Sequence, residues 1–273
     1  MVKYLFFDFL ILGLVHVLTG CKNLSPRIPD ALNEIQPAWE CKLPGDAGIY
    51  NDGLIGLPVF KNEIFFHSTY FTGKQGEDNR IHAIDLETGK INWTYPAKYN
   101  KENKFFFWGV PYLYGNQMVL KMPASDNTDS NDKIICLNLD AHQENWSIKI
   151  PDSMSVTSGN NIVGAEGKFY FTQESASESF VFEGDIIHGD TNILFQFQNK
   201  NSNQGVEIST DLQLIESGND KFLVFGLLEW TSDKTDLEFD NFIVVLHPDS
   251  RQILHKIFIL KYFHYFFEQL FFG

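Results

Sequence analysis

Three aspartates at every third position, Asp126, Asp129 and Asp132 in the stretch SDNTDSND, most suggest ion chemistry in this 273-residue chain. Carboxylates are hard ligands suited to calcium, but the EF-hand loop needs alternate ligands, a central glycine and a glutamate in last place. Here that glycine is missing and residue 137 is leucine. The loop therefore stands as a candidate surface for a cation or a basic partner, and no metal is assigned. The eight histidines show no metal-ligand spacing, and no nucleophile elbow, phosphate loop or zinc helix occurs. The aromatic run KFFFWG (104–109) offers either a platform for a sugar or peptide or packing into a hub. No catalytic residue emerges, so the chain is expected to be non-enzymatic and free of cofactor. A net charge of −14 and a pI near 4.9 leave no basic face for nucleic acid.

Cys21 closes the segment MVKYLFFDFLILGLVHVLTGC, in which Lys3 precedes an apolar run too short for a comfortable membrane span. Leu18-Thr19-Gly20-Cys21 resembles the bacterial lipobox. The resemblance implies cleavage before Cys21, a thioether-linked diacylglycerol on its sulfur and acylation of the new amine. Such chains would hold the protein on a membrane surface at roughly 0.8 kcal/mol per buried methylene. Lys22, in place of Asp, resembles the sorting pattern for the outer membrane. Residues 1–20 are thus read as a lipoprotein signal peptide, and 21–37, polar and proline-bearing, as the lipidated cysteine and its tether.

The elements behind these residues announce themselves by repetition. Trp39, Trp93 and Trp146 are spaced 54 and 53 apart, and Pro58 and Pro111 differ by 53. Turn-plus-apolar runs KNEIFF (61–66), GNQMVL (115–120), EGKFYF (166–171) and NDKFLV (219–224) recur at 54, 51 and 53. A period near fifty with several short strands means radial blades, because one four-stranded sheet has two apolar faces and buries them only against neighbours. In the first unit the strands are expected at 57–60, 64–68, 80–85 and 90–95. Ala83-x-Asp85-x-x-Thr88-Gly89-x-x-x-Trp93 resembles the eleven-residue signature of the pyrroloquinoline-quinone (PQQ)-like propeller repeat. Gly89 would close the last hairpin with a positive φ, Asp85 and Thr88 would bond its amides, and Trp93 would lie between blades against Ala83.

The second copy keeps Trp146, with Cys136, Asn138 and His142 in the other slots; Cys136 is expected to be an inert buried thiol. The fourth has Val245, His247, Ser250, Arg251 and His255. The third is read as the most decayed, with 192–198 as its third strand and Gly205 opening its fourth. Trp39, in AWECKLP, is read as an orphan last strand that completes the final blade.

The fold expected is all-β, a partial propeller of about four four-stranded PQQ-like blades over 38–256, with an incomplete or open ring. The phenylalanine-rich stretch 257–273 breaks the lattice and is read as a hydrophobic tail from a truncated or frame-disrupted chain; a membrane contact and a closing strand or helix are the alternatives. Long second-to-third-strand loops are expected at 70–80, 122–132, 173–191 and 228–240. They are acidic, carry only Lys74, Arg80 and Lys234 as Lys or Arg, and form the candidate face for a partner. The combination resembles the propeller lipoprotein of the outer-membrane barrel-assembly machinery. It implies a lipid-anchored scaffold that binds envelope proteins; a quinoprotein dehydrogenase fragment and a glycan- or peptide-binding module are the alternatives.

Overall fold

The computed structural model describes residues 59–71, 77–97, 110–122, 133–151, 154–155, 161–175, 177–199, 203–232 and 237–263. Among them there is no helix, and the strands form four antiparallel sheets in chain order. Blade 1 is β1 (Val59–Phe60), β2 (Glu63–Phe71), β3 (Glu77–Asp85) and β4 (Ile91–Tyr95). Blade 2 is β5 (Tyr112–Tyr114), β6 (Gln117–Met122), β7 (Lys133–Asn138) and β8 (Gln143–Lys149). Blade 3 is β9 (Met154–Ser155) and β10 (Val163–Ala165), then β11 (Lys168–Ser175), β12 (Glu178–Asp185) and β13 (Thr191–Gln198). Blade 4 is β14 (Gln204–Ile208) and β15 (Gln213–Ser217), then β16 (Asp220–Ser232), β17 (Leu237–His247) and β18 (Gln252–Phe263). Each blade is a meander of neighbouring strands, the partial β-propeller that the repeat predicts.

The recurring turn-plus-apolar series marks the first hairpin of every blade. The pairs Phe60↔Glu63, Tyr114↔Gln117, Ala165↔Lys168 and Ser217↔Asp220 each close a two-residue turn. Turns this tight need positive φ, found at Lys61 (53°), Gly115 (59°), Glu166 (53°), Gly167 (80°) and Gly218 (64°).

Alternation then sends successive side chains into opposite seams, so a central blade reads as an almost unbroken apolar run. Met118, Leu120, Met122, Ile135 and Leu137 of blade 2 pack with Phe65, Ile81 and Ala83 of blade 1. Val119, Ile134 and Cys136 face the other way, against Phe169, Phe171 and Ile186 of blade 3. The third seam joins Tyr170, Val181 and Leu194 to Ile208, Leu223, Phe225, Leu227, Val244 and Leu246 of blade 4.

In blades 3 and 4 the first strand is divided. β14 pairs with Leu227–Thr231 of β16 and β15 with Asp220–Val224, leaving Ser209–Leu212 to bulge away between them. Gly226 makes room for that bulge: a Cβ there would stand 2.7 Å from the Thr210 methyl, and its amide donates to Thr210 Oγ1 at 2.7 Å.

Three expectations are corrected. Residues 192–198 belong to the fourth strand of blade 3, not the third, because Glu178–Asp185 already fills that place, paired with both β11 and β13. Gly205 therefore belongs to the first strand of blade 4. The loops expected at 173–191 and 228–240 are largely strand, since the apolar residues Phe180, Val181 and Phe182 and the long ladder Glu229↔Asp240 to Ser232↔Leu237 pair there. The boundary at 256 falls inside β18, whose ladder with β17 runs on to Glu238↔Phe263. Residues 1–58, with the signal segment, Cys21, Trp39 and Cys41, lie outside the described residues, as do 98–109, Asp126, Asp129, Asp132 and 264–273.

Candidate functional site

The signature residues build one device four times, a hairpin turn between the third and fourth strands. In blade 1 the Asp85 carboxylate accepts from the Thr88 amide (2.7 Å), the Thr88 hydroxyl (2.7 Å) and the Glu87 amide (3.1 Å). The Thr88 hydroxyl bond, reinforced by the two amides, holds this carboxyl below its ordinary value. The Gly89 amide donates to the Asp85 carbonyl at 2.8 Å, with Gly89 at φ 67°.

In blade 2 the Asn138 amide oxygen accepts from Asp140 (3.0 Å) and Ala141 (2.9 Å), and His142 takes the left-handed position at φ 56°. In blade 4 the cap is the His247 ring nitrogen, accepting from the Ser250 amide at 3.3 Å, with Arg251 at φ 54°. Only side chains that can offer an acceptor to amides two and three residues on occupy the first slot.

Blade 3 has the same turn where the sequence reading did not look for it. The Asp185 carboxylate accepts from the amides of Ile187 and His188, both at 2.9 Å, and from the His188 ring at 3.0 Å; Gly189 stands at φ 78°. Backbone donation from His188 is the main pull lowering this carboxyl. The signal was present as Asp185-x-x-His188-Gly189, but the turn comes early for the fifty-odd spacing because a short connector joins β11 to β12.

Each sheet also carries a bulge in its last pair of strands, and the residue opposite the third strand there is large. The pairs are Ala83↔Trp93, Cys136↔Trp146, Val181↔Phe195 and Val245↔His255. In blade 3 the bulge sits two residues further from the turn, which puts Phe195 in the tryptophan slot.

The two indoles reach across to the next blade. Trp93 stacks on His142 with centroids 4.8 Å apart and planes at 18°, and its Nε1 donates to Glu63 at 3.1 Å. Trp146 stacks on Phe169 (5.6 Å, 20°), and its Nε1 donates to the Ile186 carbonyl at 2.9 Å. A Cβ on Gly189 would stand 2.7 Å from the Trp146 ring, so that glycine serves both the turn and the dock. Each tryptophan thus lands on the turn that closes the following blade. Opposite Trp146, Cys136 is a free buried thiol, pushed up to about 12 by its burial.

Turn and dock together place the chain among proteins of the PQQ-like β-propeller fold. No family model matches the sequence. Among curated proteins, lupanine 17-hydroxylase (cytochrome c) from a Pseudomonas species is 29% identical over 146 residues, 51% of this chain and 19% of that protein. The chain accordingly spans about a fifth of the length of this relative. Among solved structures, the quinohemoprotein alcohol dehydrogenase of Pseudomonas putida HK5 matches at a TM-score of 0.45 and 11% identity, over 74% of this chain and 34% of that one. The quinohemoprotein alcohol dehydrogenase of Comamonas testosteroni gives 0.44 and 11%, over 74% and 46%. The β-propeller domain of the Trilobed protease from Pyrococcus furiosus, which has an open velcro topology, gives 0.33 and 11%, over 74% and 68%. The expectation of a non-enzymatic chain is corrected by the likeness to the curated relative, which is a hydroxylase.

Proposed function

We propose that this chain is part of the propeller of a quinoprotein-type oxidoreductase, acting on alcohols or on compounds like lupanine. The observation that supports it is the 29% identity to the hydroxylase across half the chain. Such an enzyme would use a quinone and a haem as its redox groups.

The described residues do not by themselves fit either group. No cluster of three or more His, Cys, Asp or Glu among them could hold a metal ion. The three cysteines, Cys21, Cys41 and Cys136, are not adjacent, and none opens a Cys-x-x-Cys-His haem attachment. Asp85 and Asp185 are committed to turns. The part these blades play is to form a rigid wall, in which two tryptophan docks fix neighbouring sheets.

The same reading keeps the lipid anchor. Leu18-Thr19-Gly20-Cys21 supports attachment through Cys21 in the bacterial cell envelope, at the outer membrane, beside an envelope protein partner. Labelling with a fatty acid should mark the wild-type chain and not Cys21→Ser; equal labelling of both would refute the anchor.

Quinone binding is tested by titrating pyrroloquinoline quinone with calcium into the full chain and following thermal unfolding. A ligand that binds only the folded form must raise the midpoint. An unmoved midpoint, together with no dye-linked oxidation of alcohols or lupanine, would sink the oxidoreductase reading.

A further inference from the structure

The outermost strands of blades 2 and 4 meet solvent differently. β8 alternates, and the residues it exposes are Gln143, Asn145, Ser147 and Lys149, all polar. β18 exposes six residues in a row, 254–259, and four of them are large and apolar: Leu254, Ile257, Phe258 and Ile259.

Both faces of β18 are bare. Ile257 pairs with Ile243, on the face turned away from blade 3, and is 50% exposed. Phe258 pairs with Phe242, which packs toward blade 3, and is 54% exposed. A further sheet stacked on the far face would cover Ile257 and leave Phe258 in water. A lipid surface would touch both, but it offers no partner to the amides and carbonyls of an open sheet edge. A strand added in the plane of the sheet covers both side chains and answers those backbone groups. Among the described residues nothing pairs with the outer edge of β18.

We propose that β18 pairs antiparallel with β18 of a second copy of this chain, about a twofold axis normal to the sheet at Ile257. Rotation about the sheet normal exchanges edges and keeps faces, so like face joins like face. Ile257 then meets its twin, and on the opposite face Lys256 meets Phe258 of the partner subunit. The Lys256 ammonium already lies 4.0 Å from the centroid of the Phe242 ring, and a second ring extends that environment. Charge does not oppose the pairing. β18 has no acid, and its two lysines are answered in their own sheet, Lys256 by Glu229 at 2.6 Å and Lys261 by Glu238 at 2.7 Å. Four half-exposed side chains and one strand edge give each copy a few hundred Å² to bury, at the low end of specific interfaces, so dissociation falls in the micromolar range. The edge is outside the turns and docks, and its pairing does not depend on a quinone.

Disulfide trapping in the full chain tests this. Ile257→Cys sets a thiol opposite its own twin, at the spacing of about 4.5–5.5 Å between opposed strand residues that a disulfide spans. Mild oxidation should give covalent dimer well above the wild-type background. Ile215→Cys, equally exposed but on β15 at the other side of the sheet, should stay at that background. Sedimentation of the full chain in mild detergent should show a dimer that Ile257→Lys, with two ammoniums opposed, weakens about tenfold or more. Its urea midpoint should hardly move, because this side chain is already half in water. A wild type that stays monomeric at about 100 μM overturns the dimer. Trapping through Ile215→Cys as strong as through Ile257→Cys overturns it in favour of stacked faces. A monomer that loses its binding to phosphatidylglycerol vesicles in Ile257→Lys overturns it in favour of a lipid contact. Should Ile257→Lys fail to fold, the two cysteine variants decide.

Discussion

The seams on either side of blade 2 and the seam between blades 3 and 4 bury similar kinds of residue but are closed by different means. The first two are closed by an indole reaching onto the next turn, Trp93 onto His142 and Trp146 onto Phe169 and the Ile186 carbonyl. In the third seam the slot holds Phe195, which tilts against Phe197 of its own strand at 5.0 Å. The compensation is length. β16, β17 and β18 have 13, 11 and 12 residues, against 6, 6 and 7 for the corresponding strands of blade 2. Short sheets need a specific wedge to fix their neighbour, whereas long ones fix it by area.

Cutting the wedge should therefore hurt most where sheets are short. Trp146→Ala should cost about 3 kcal/mol in urea unfolding, by loss of transfer energy and a cavity, while Phe195→Leu should cost about 1 kcal/mol. Equal losses would erase the distinction.

The next largest effect sharpens the role of the turn as a dock. Gly189→Ala meets both a left-handed backbone and the Trp146 ring at 2.7 Å, whereas Gly218→Ala meets the backbone problem alone, with no atom within 4 Å. The first should cost about 2 kcal/mol or more and the second about 1 kcal/mol.

Smaller still, Arg251→Gly relieves a non-glycine residue at φ 54° and should gain about 0.5–1 kcal/mol. His142→Gly relieves the same strain but gives up the stack under Trp93, so its gain should be smaller or reversed in the same unfolding measurement.

The smallest effect is in acid. Asp85 and Asp185 are held below their ordinary values in the fold, so their contribution is present above the ordinary carboxyl value of 3.8 and is lost as pH falls through the lower folded values. Asn138 fills the same slot in blade 2 without titrating there. Asp85→Asn should flatten the loss of stability between about pH 5 and 3, and Asn138→Asp should steepen it, as read from urea midpoints across that range. Both slopes staying at the wild-type value would mean the caps carry no linkage.

Much of this was legible in the residues, for definite reasons. Tight turns and tryptophan slots demand particular side chains, so the first hairpins and the turns at Asp85 and Asn138 could be placed from spacing. Blade 3 escaped because its bulge moved by two residues and its indole became Phe195, leaving only the turn motif at Asp185 as a marker. The segments 173–191 and 228–240 read as acidic loops, yet Glu178–Asp185 is a strand and another begins at Leu237, because strand pairing tolerates the acids they carry. The burial of Lys121 and Gln173 gave no sign at all: it follows from strand parity across a seam, which one dimension does not show. The enzymatic likeness was hidden for another reason, since the repeat records how blades stack and not what they surround.

The divided first strand of blade 4 has a consequence of its own. Because β14 and β15 are pinned separately to β16, extra residues between Ser209 and Leu212 would lengthen a loop and slip neither register. β16 is then a splint that lets its partner vary, and its amides should be the last in that blade to exchange with deuterium.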